Sequence, residues 1–378
     1  MNRNRFLKLF GVAILLALAG GLFQWSRSKS WQELTADRLV LPNLAVNDIS
    51  KIQLRTTSDA VTLEKKDAVW RVAQRSDYPA DFEKIRQFIQ TLWGLKAAQE
   101  MQVGPSQFGR LKIAAPSEGP SSGTAIDLKG ASNKQIGTLI IGKGTEQGEE
   151  RAGGGRFVYN PAVKDRVYLV SEAFLNLDPL TPSQWLDKSL IVPDELKEII
   201  QSPWSNNPGW KISRDNQKAD WKLDNAQPTE KLDDSFVRTL QVFTPNFVDV
   251  RPASTSQDET GLKDPFHVQL STFDGFRYDL FLGKQAPDKG RYTQLKVAAD
   301  LPAARTPEPG EKPEDKTKRD EEFAKKQADL KQRLEKEKKY EQWIYIVPDY
   351  SVETFLKRRD EIVAKPSPSP SSATKPTK

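Results

Sequence analysis

The 378 residues contain one histidine, His267, and no cysteine, and this removes most side-chain chemistry at once. Without thiols there is no disulfide, thiolate metal site, cysteine nucleophile or cysteine lipidation. An imidazole metal site or a Ser-His-Asp triad would have to use His267, which stands in PFHVQL, an alternating strand pattern with no accompanying motif. Gly142-Lys143-Gly144 and the glycine-rich 148–156 lack the GK[ST] ending and the strand-to-helix setting of a phosphate loop. Asp233-Asp234 opens a helix pattern, where acids suit the dipole, and Glu149-Glu150 lies in a loop. No pair of carboxylates is placed for hydrolysis. Trp204 and Trp210, in SPWSNNPGW, are the aromatic residues best suited to stack on sugar rings, so glycan binding stays open as the alternative. The expectation is a protein with no catalytic residue, no metal ligand and no cofactor.

Charge points away from nucleic acid. The net charge is +6, but Arg3, Arg5, Lys8, Arg27 and Lys29 lie within the first thirty residues with no acid among them. Lys365, Lys375 and Lys378 add three more cations at the other end, leaving the middle of the chain near −2. The body therefore has no basic excess to offer phosphates.

The first cations precede an apolar run carried by Phe6, Leu9, Phe10, Val12, Ile14, Leu15, Leu16, Leu18, Leu22, Phe23 and Trp25. Phe6 to Trp25 is just long enough to cross a bilayer core of about 30 Å as a helix. Lys8 can snorkel to one interface and Trp25 suits the other. Ala17-Leu18-Ala19 resembles a signal-peptide cleavage site, but the apolar run continues beyond it, which favours an uncleaved anchor. Either reading places the amino terminus inside and exports the body, giving a single-pass protein of the inner (cytoplasmic) membrane.

Stepping outward, the body reads as two passes through one pattern. In the first, NDISKIQLR (47–55) is a strand, and VTLEKKDAVWRVA is a hairpin centred on Trp70. A helix beginning within Asp77–Asp81 follows, with Ile85, Phe88, Ile89 and Leu92 on one stripe. AIDL (125–128) and GTLIIGK (137–143) read as paired strands, as do RFVYN (156–160) and RVYLV (166–170), and Ser171–Leu177 reads as a short closing helix. The second pass repeats the order with DELKEII (194–200), KISRDNQKADWKL (211–223) around Trp221, and a helix with Val237, Leu240 and Phe243 on its stripe. Gly261-Leu262 answers Gly109–Leu111, HVQL answers AIDL, YDLFLGK answers TLIIGK, WIYIV answers RVYLV, and Tyr350–Leu356 closes the pass. Trp70, Ile85, Phe88 and Leu92 with Trp221, Val237 and Leu240 are then the repeat cores. The expected fold is α+β, a tandem repeat of two similar domains. Each is mainly antiparallel sheet with a packed amphipathic helix, and one transmembrane helix precedes them. The divisions are 1–28 for the anchor, 40–190 and 191–362 for the repeats, and 363–378 for a disordered tail.

The second pass carries an insertion at about 302–341, a proline-broken linker followed by a run of helix formers. Between Arg305 and Glu341 stand 12 cations and 11 acids, a balance suited to a solvated arm. Phe323, Leu330 and Leu334 form a thin apolar seam, the candidate partner contact if the arm enters a coiled coil.

The opening DISKIQL, the VTLEKKDAVW hairpin, PADFEKIRQFIQTLWGLKA, FGRL, LIIGK, VYLV and the WLDKSL junction at 185–190 together resemble the family called domain of unknown function 4340. The resemblance covers roughly residues 40–357. It implies a membrane-anchored envelope protein associated with gliding-motility-type ABC transport systems, alongside a permease and its ATPase. The expected partners are membrane lipid, through the amino-terminal helix, and proteins of such a complex. The expected role is that of a non-enzymatic accessory or scaffold subunit.

Overall fold

A computed structural model describes residues 38–145, 155–189, 193, 195–228, 230–241, 246–287, 290–307 and 311–364. The amino-terminal apolar run, Phe243, most of the glycine-rich stretch and the carboxyl tail lie outside the described residues. The chain falls into two compact units, one comprising Met1–Gln74 with Ala80–Trp185 and the other Arg75–Pro79 with Leu186–Lys378.

In the first half the strands are β1 (Lys51–Arg55), β2 (Ala60–Lys66), β3 (Val69–Val72) and β4 (Tyr78–Pro79), followed by helix α1 (Phe82–Trp93). Then come β5 (Gln99–Gln102), the single turn α2 (Phe108–Leu111), β6 (Thr124–Lys129), β7 (Gln135–Gly144), β8 (Arg156–Tyr159) and β9 (Arg166–Val170). The sheet order is β4-β3-β2-β1-β6-β7-β8-β9-β5, with antiparallel pairing from β3 to β5. Alternation decides which face is core: Ile52 and Leu54 on β1 pair with Leu63 and Val61 on β2, and all four are fully buried. Helix α1 begins at the late edge of the Asp77–Asp81 window that the sequence pattern gives. Asp81 caps it by accepting from the Lys84 N–H at 3.0 Å, and Tyr78–Pro79 stays extended. Ile85, Phe88 and Leu92 are buried against the sheet, with Phe88 edge-on to Trp185 at 5.3 Å. The expected helix at Ser171–Leu177 is only a turn of 3-10 helix at Leu175–Leu177.

The second half supplies β10 (Leu196–Gln201), β11 (Trp210–Ser213), β12 (Lys222–Leu223), α3 (Asp234–Gln241), β13 (Asp249–Pro252) and the turn α4 (Gln257–Thr260). After these come β14 (Phe266–Thr272), β15 (Phe276–Gln285), β16 (Gly290–Ala299), helix α5 (Pro313–Lys338), β17 (Trp343–Pro348), α6 (Asp349–Leu356) and α7 (Arg359–Ile362). The sheet order is β12-β11-β10-β14-β15-β16-β17-β13. Setting β4 aside, the two orders run alike strand for strand. The ten-residue β16, in GRYTQLKVAA, and the edge strands β5 and β13 are the members that apolar periodicity left unread.

The second unit also holds Arg75–Pro79 in its own packing. Tyr78 is fully buried, with ring centroids 4.8 Å from Trp343 and 5.6 Å from Phe247. Arg75 grips Asp249 with two bonds of 2.5 and 2.9 Å, and Arg251 adds a third of 2.7 Å. Burial pushes the Asp249 pKa up, but these donors and the Val250 N–H outweigh it and hold it below the usual carboxylate range.

Each unit also contains a strand crossed at close range. A Cβ on Gly142 of β7 would sit 2.5 Å from the Leu111 carbonyl oxygen, and one on Gly283 of β15 would sit 2.1 Å from that of Thr260. The crossing segment in both cases is a one-turn helix, α2 or α4, ended by a left-handed residue, Lys112 (φ 53°) or Gly261 (φ 71°). Gly261-Leu262 therefore corresponds to Lys112-Ile113, not to Gly109–Leu111, and Ile113 and Leu262 are the buried pair.

Two expected core residues differ from the pattern. Trp221 holds the register place of Trp70, since Leu223 pairs with Ile212 as Val72 pairs with Leu63, yet Trp221 is only half-buried while Trp70 is buried. The strand β12 is two residues long, and the Arg214 guanidinium covers the Trp221 ring at 4.9 Å. Trp210 fills the core over α3 instead, edge-on to Phe236 at 5.6 Å. Val237 is likewise half-buried, and Phe236 and Leu240 form the buried stripe.

Trp70→Ala is therefore expected to cost about 3–5 kcal/mol, and Trp221→Ala about 1 kcal/mol for a covered cation–π contact. Urea denaturation of the full chain in detergent checks the difference; equal losses would contradict it. By the same measurement Gly283→Ala is expected to destabilise by about 1–3 kcal/mol, the range for overpacking.

Candidate functional site

His267 is not isolated. It stands on β14, whose buried residues alternate as Phe266, Val268, Leu270 and Thr272, so His267 and Gln269 share the opposite face. Antiparallel register sets Gln269 against Asp279 and His267 against Phe281 on β15. The imidazole stacks on the Phe281 ring at 4.8 Å and 13°. Its Nε2 is 2.9 Å from Asp279 Oδ1, and its Nδ1 is 2.9 Å from Ser202 Oγ, just past the end of β10. An ionised carboxylate only accepts, so Nε2 carries a proton, and in the neutral imidazole Nδ1 accepts from the Ser202 hydroxyl. Asp279 also accepts from Gln269 at 3.0 Å and from Arg277 at 3.3 Å. Burial raises the Asp279 pKa most strongly, but the bonds from Gln269 and His267 and the nearby Arg277 charge together hold it below the ordinary value.

Chemically this is a nucleophile, a base and an orienting acid in hydrogen-bonded order. Acyl transfer also requires donors aimed at a developing oxyanion. Near Ser202 several such donors are committed elsewhere. The Ser202 N–H bonds the His267 carbonyl at 3.0 Å, residue 203 is proline, and Trp204 and Asn207 exchange N–H bonds at 2.9 Å. The Gly209 N–H bonds the Asn207 side chain at 3.1 Å. The arrangement is suited to latching Ser202 to the β14–β15 hairpin. Its register across two strands is what the sequence pattern could not reveal.

A second place lies on α1. Ile89, expected on the buried stripe, is only half-buried and instead forms another with Phe82 and Trp93, and these line a groove of about 450 Å³ with Trp70, Val46 and Ile49. Phe82 is 62% exposed and Trp93 55% exposed. Trp70 serves as the inner wall. The sequence pattern flagged Trp70 but gave no weight to Phe82 or Trp93, because neither lies on the core stripe.

The insertion folds onto its own unit. Arg333 of α5 bonds Asp274 at 2.8 Å, Glu337 at 2.7 Å and the Tyr278 hydroxyl at 2.8 Å, and lies over the Phe276 ring at 4.3 Å. At the other end Arg305 bonds Glu311 at 2.6 Å and Asp320 at 3.0 Å. Phe323, Leu330 and Leu334 are each half-buried. Of the two tryptophans proposed for sugars, Trp210 is buried and donates Nε1–H to the Lys357 carbonyl at 2.8 Å, so its face is unavailable. Trp204 is 44% exposed and edge-on to Phe266.

Residues 70–265 match the family described as Domain of unknown function (DUF4340), just over half of the chain. The chain belongs to this family. No curated protein and no solved structure matches it. The DUF4340 span is narrower than the 40–357 that the motifs suggest. It begins at Trp70 and includes the α1 groove-lining residues Phe82, Ile85, Ile89 and Trp93. It ends at Pro265, so His267 and Asp279 fall outside it.

Because the folded pKa of Asp279 is depressed, its stabilising contribution is present above the unfolded value near 3.9 and is lost as pH falls through the folded value. Asp279→Asn is therefore expected to flatten part of the acid-side loss of stability below about pH 4, read from urea unfolding at stepped pH. An unchanged acid slope would show that the relay carries no linkage.

Proposed function

We propose that this chain is a non-enzymatic accessory or scaffold subunit of an ABC-type transport or gliding-type envelope complex. In this reading Phe6–Trp25 tethers it to the inner membrane and both units lie outside. Membership of the family supports the reading, as do the cations that precede the apolar run. Among the described residues no helix is long and apolar enough to cross a membrane, and the proposed anchor lies outside them. The matching strand orders support a tandem duplication as the origin of the two units.

The observation that carries the proposal is what the repeated residues do. Gly142 and Gly283 admit a crossing backbone, Trp70 walls a groove, and Ile113 and Leu262 fill core positions. Signatures devoted to packing suit a protein that presents surfaces to partners. Affinity purification of the full chain from its own membranes in mild detergent is expected to recover a permease and an ATPase. Recovery as a solitary monomer would contradict the proposal. Exposure of the same material to a fluorophosphonate is expected to leave Ser202 unmodified by mass spectrometry, whereas an adduct there would revive a hydrolase.

Trp204 keeps the glycan reading as the second one, because it retains an open face. Titration with cell-wall fragments, comparing the parent with Trp204→Ala by tryptophan fluorescence, decides it; a flat response in the parent ends it.

A further inference from the structure

We propose that the Phe82–Ile89–Trp93 face of α1 rests on the bilayer surface, with its aromatic rings in the lipid interface. This rests on the reading of Phe6–Trp25 as a membrane anchor.

Three observations carry it. First, the stripe is a separate apolar face. Phe82, Ile89 and Trp93 follow at seven and four residues, one side of a helix, offset from the buried Ile85, Phe88 and Leu92. A helix that has already committed one stripe to its core rarely spends two further large aromatics on water without a use for them.

Second, the path of the chain leaves this face within reach of the membrane. The first described residue, Arg38, accepts from the Ala97 N–H at 2.9 Å, and Val40 donates to the Leu95 carbonyl at 2.9 Å. The chain thus meets the unit within four residues of Trp93. Only the twelve residues Ser26–Asp37 separate Arg38 from the end of the apolar run. Their greatest reach, at 3.3–3.6 Å each, is roughly 40 Å. The α1 end of this unit is therefore held within that distance of the headgroups.

Third, the chemistry of the face fits an interface. Tryptophan and phenylalanine are the side chains that settle at headgroup depth, about 5–10 Å into the boundary for a helix lying in the plane. The groove lining holds the cations Lys65 and Arg86 and no acid. Arg86 is already answered by Glu83, so apolar burial carries the contact and the attraction to anionic lipid is small. The contact is accordingly expected to survive high salt.

The chain has no cysteine, so single-cysteine labelling requires no background removal. Full-length protein carrying Gln90→Cys, an exposed groove residue, is spin-labelled and reconstituted into vesicles of phosphatidylethanolamine and phosphatidylglycerol. Collisions with oxygen, which partitions into lipid, are compared with collisions with a water-soluble nickel chelate. The expected result is a several-fold oxygen preference over a label at Glu118→Cys, an exposed residue ending a 3-10 turn of the same unit. Combining Phe82→Ser and Trp93→Ser with the label is expected to abolish that preference while leaving thermal unfolding within a few degrees, since both rings are more than half exposed. A label at Leu15→Cys reports on the anchor separately. Lipid exposure at Leu15 with a water-like Gln90 label overturns this inference and leaves the anchor standing. Water-like labels at both positions overturn both. Shielding of the Gln90 label from oxygen and nickel alike shows a protein seated in the groove and overturns the bilayer contact.

Discussion

Each unit depends on one bare position in a central strand. At Gly142 and again at Gly283 the backbone of a neighbouring turn crosses so close that any side chain would collide with a carbonyl oxygen. The crossing turn carries a left-handed residue and then a buried apolar one, Ile113 or Leu262, which it delivers into the core. A substitution there cannot be relieved by a rotamer change, because the obstacle is main chain. The lysine that follows each glycine, which invites a phosphate-loop reading, is a consequence of strand position. Lys284 illustrates this by bonding the Asp258 carbonyl of the crossing turn at 3.2 Å.

The polar groups follow a similar economy. Asp279 beside the one histidine and Asp249 each gather several donors on one carboxylate, Arg333 spreads one guanidinium over three acceptors, and each network joins elements distant in sequence within a unit. Removing one member leaves its partners desolvated and unmatched, so these networks specify arrangement as well as adding stability. A Ser-His-Asp order arises in the course of this, with Ser202 tied to β14 through both its N–H and its hydroxyl.

Much of this was legible in the sequence. Alternation of Ile52, Leu54, Val61 and Leu63 marked strands, the 85–88–92 spacing marked the buried helix face, and the repeated order foreshadowed the shared strand order. What escaped was whatever depends on contact across the chain. Trp221 matches Trp70 in register but not in burial, because a two-residue strand and Arg214 leave it at the surface while Trp210 takes the core. The strand β16 was unread because its apolar residues break the alternation, with Tyr292 and Leu295 three apart, in a stretch that borders the insertion. The Ser202–His267–Asp279 chain needs two strand registers, and no local pattern encodes those. The second stripe of α1 was visible in principle, since Phe82 and Trp93 can be placed on a helical wheel. It carried no weight because it lies off the core face.

The crossed strands are the common foundation of both units, and hydrogen–deuterium exchange of the full chain in detergent tests that most directly. The account predicts that peptides covering Gln135–Gly144 and Phe276–Gln285 are the slowest to exchange in their respective units. Exchange at either strand as fast as that of the exposed loops would contradict it.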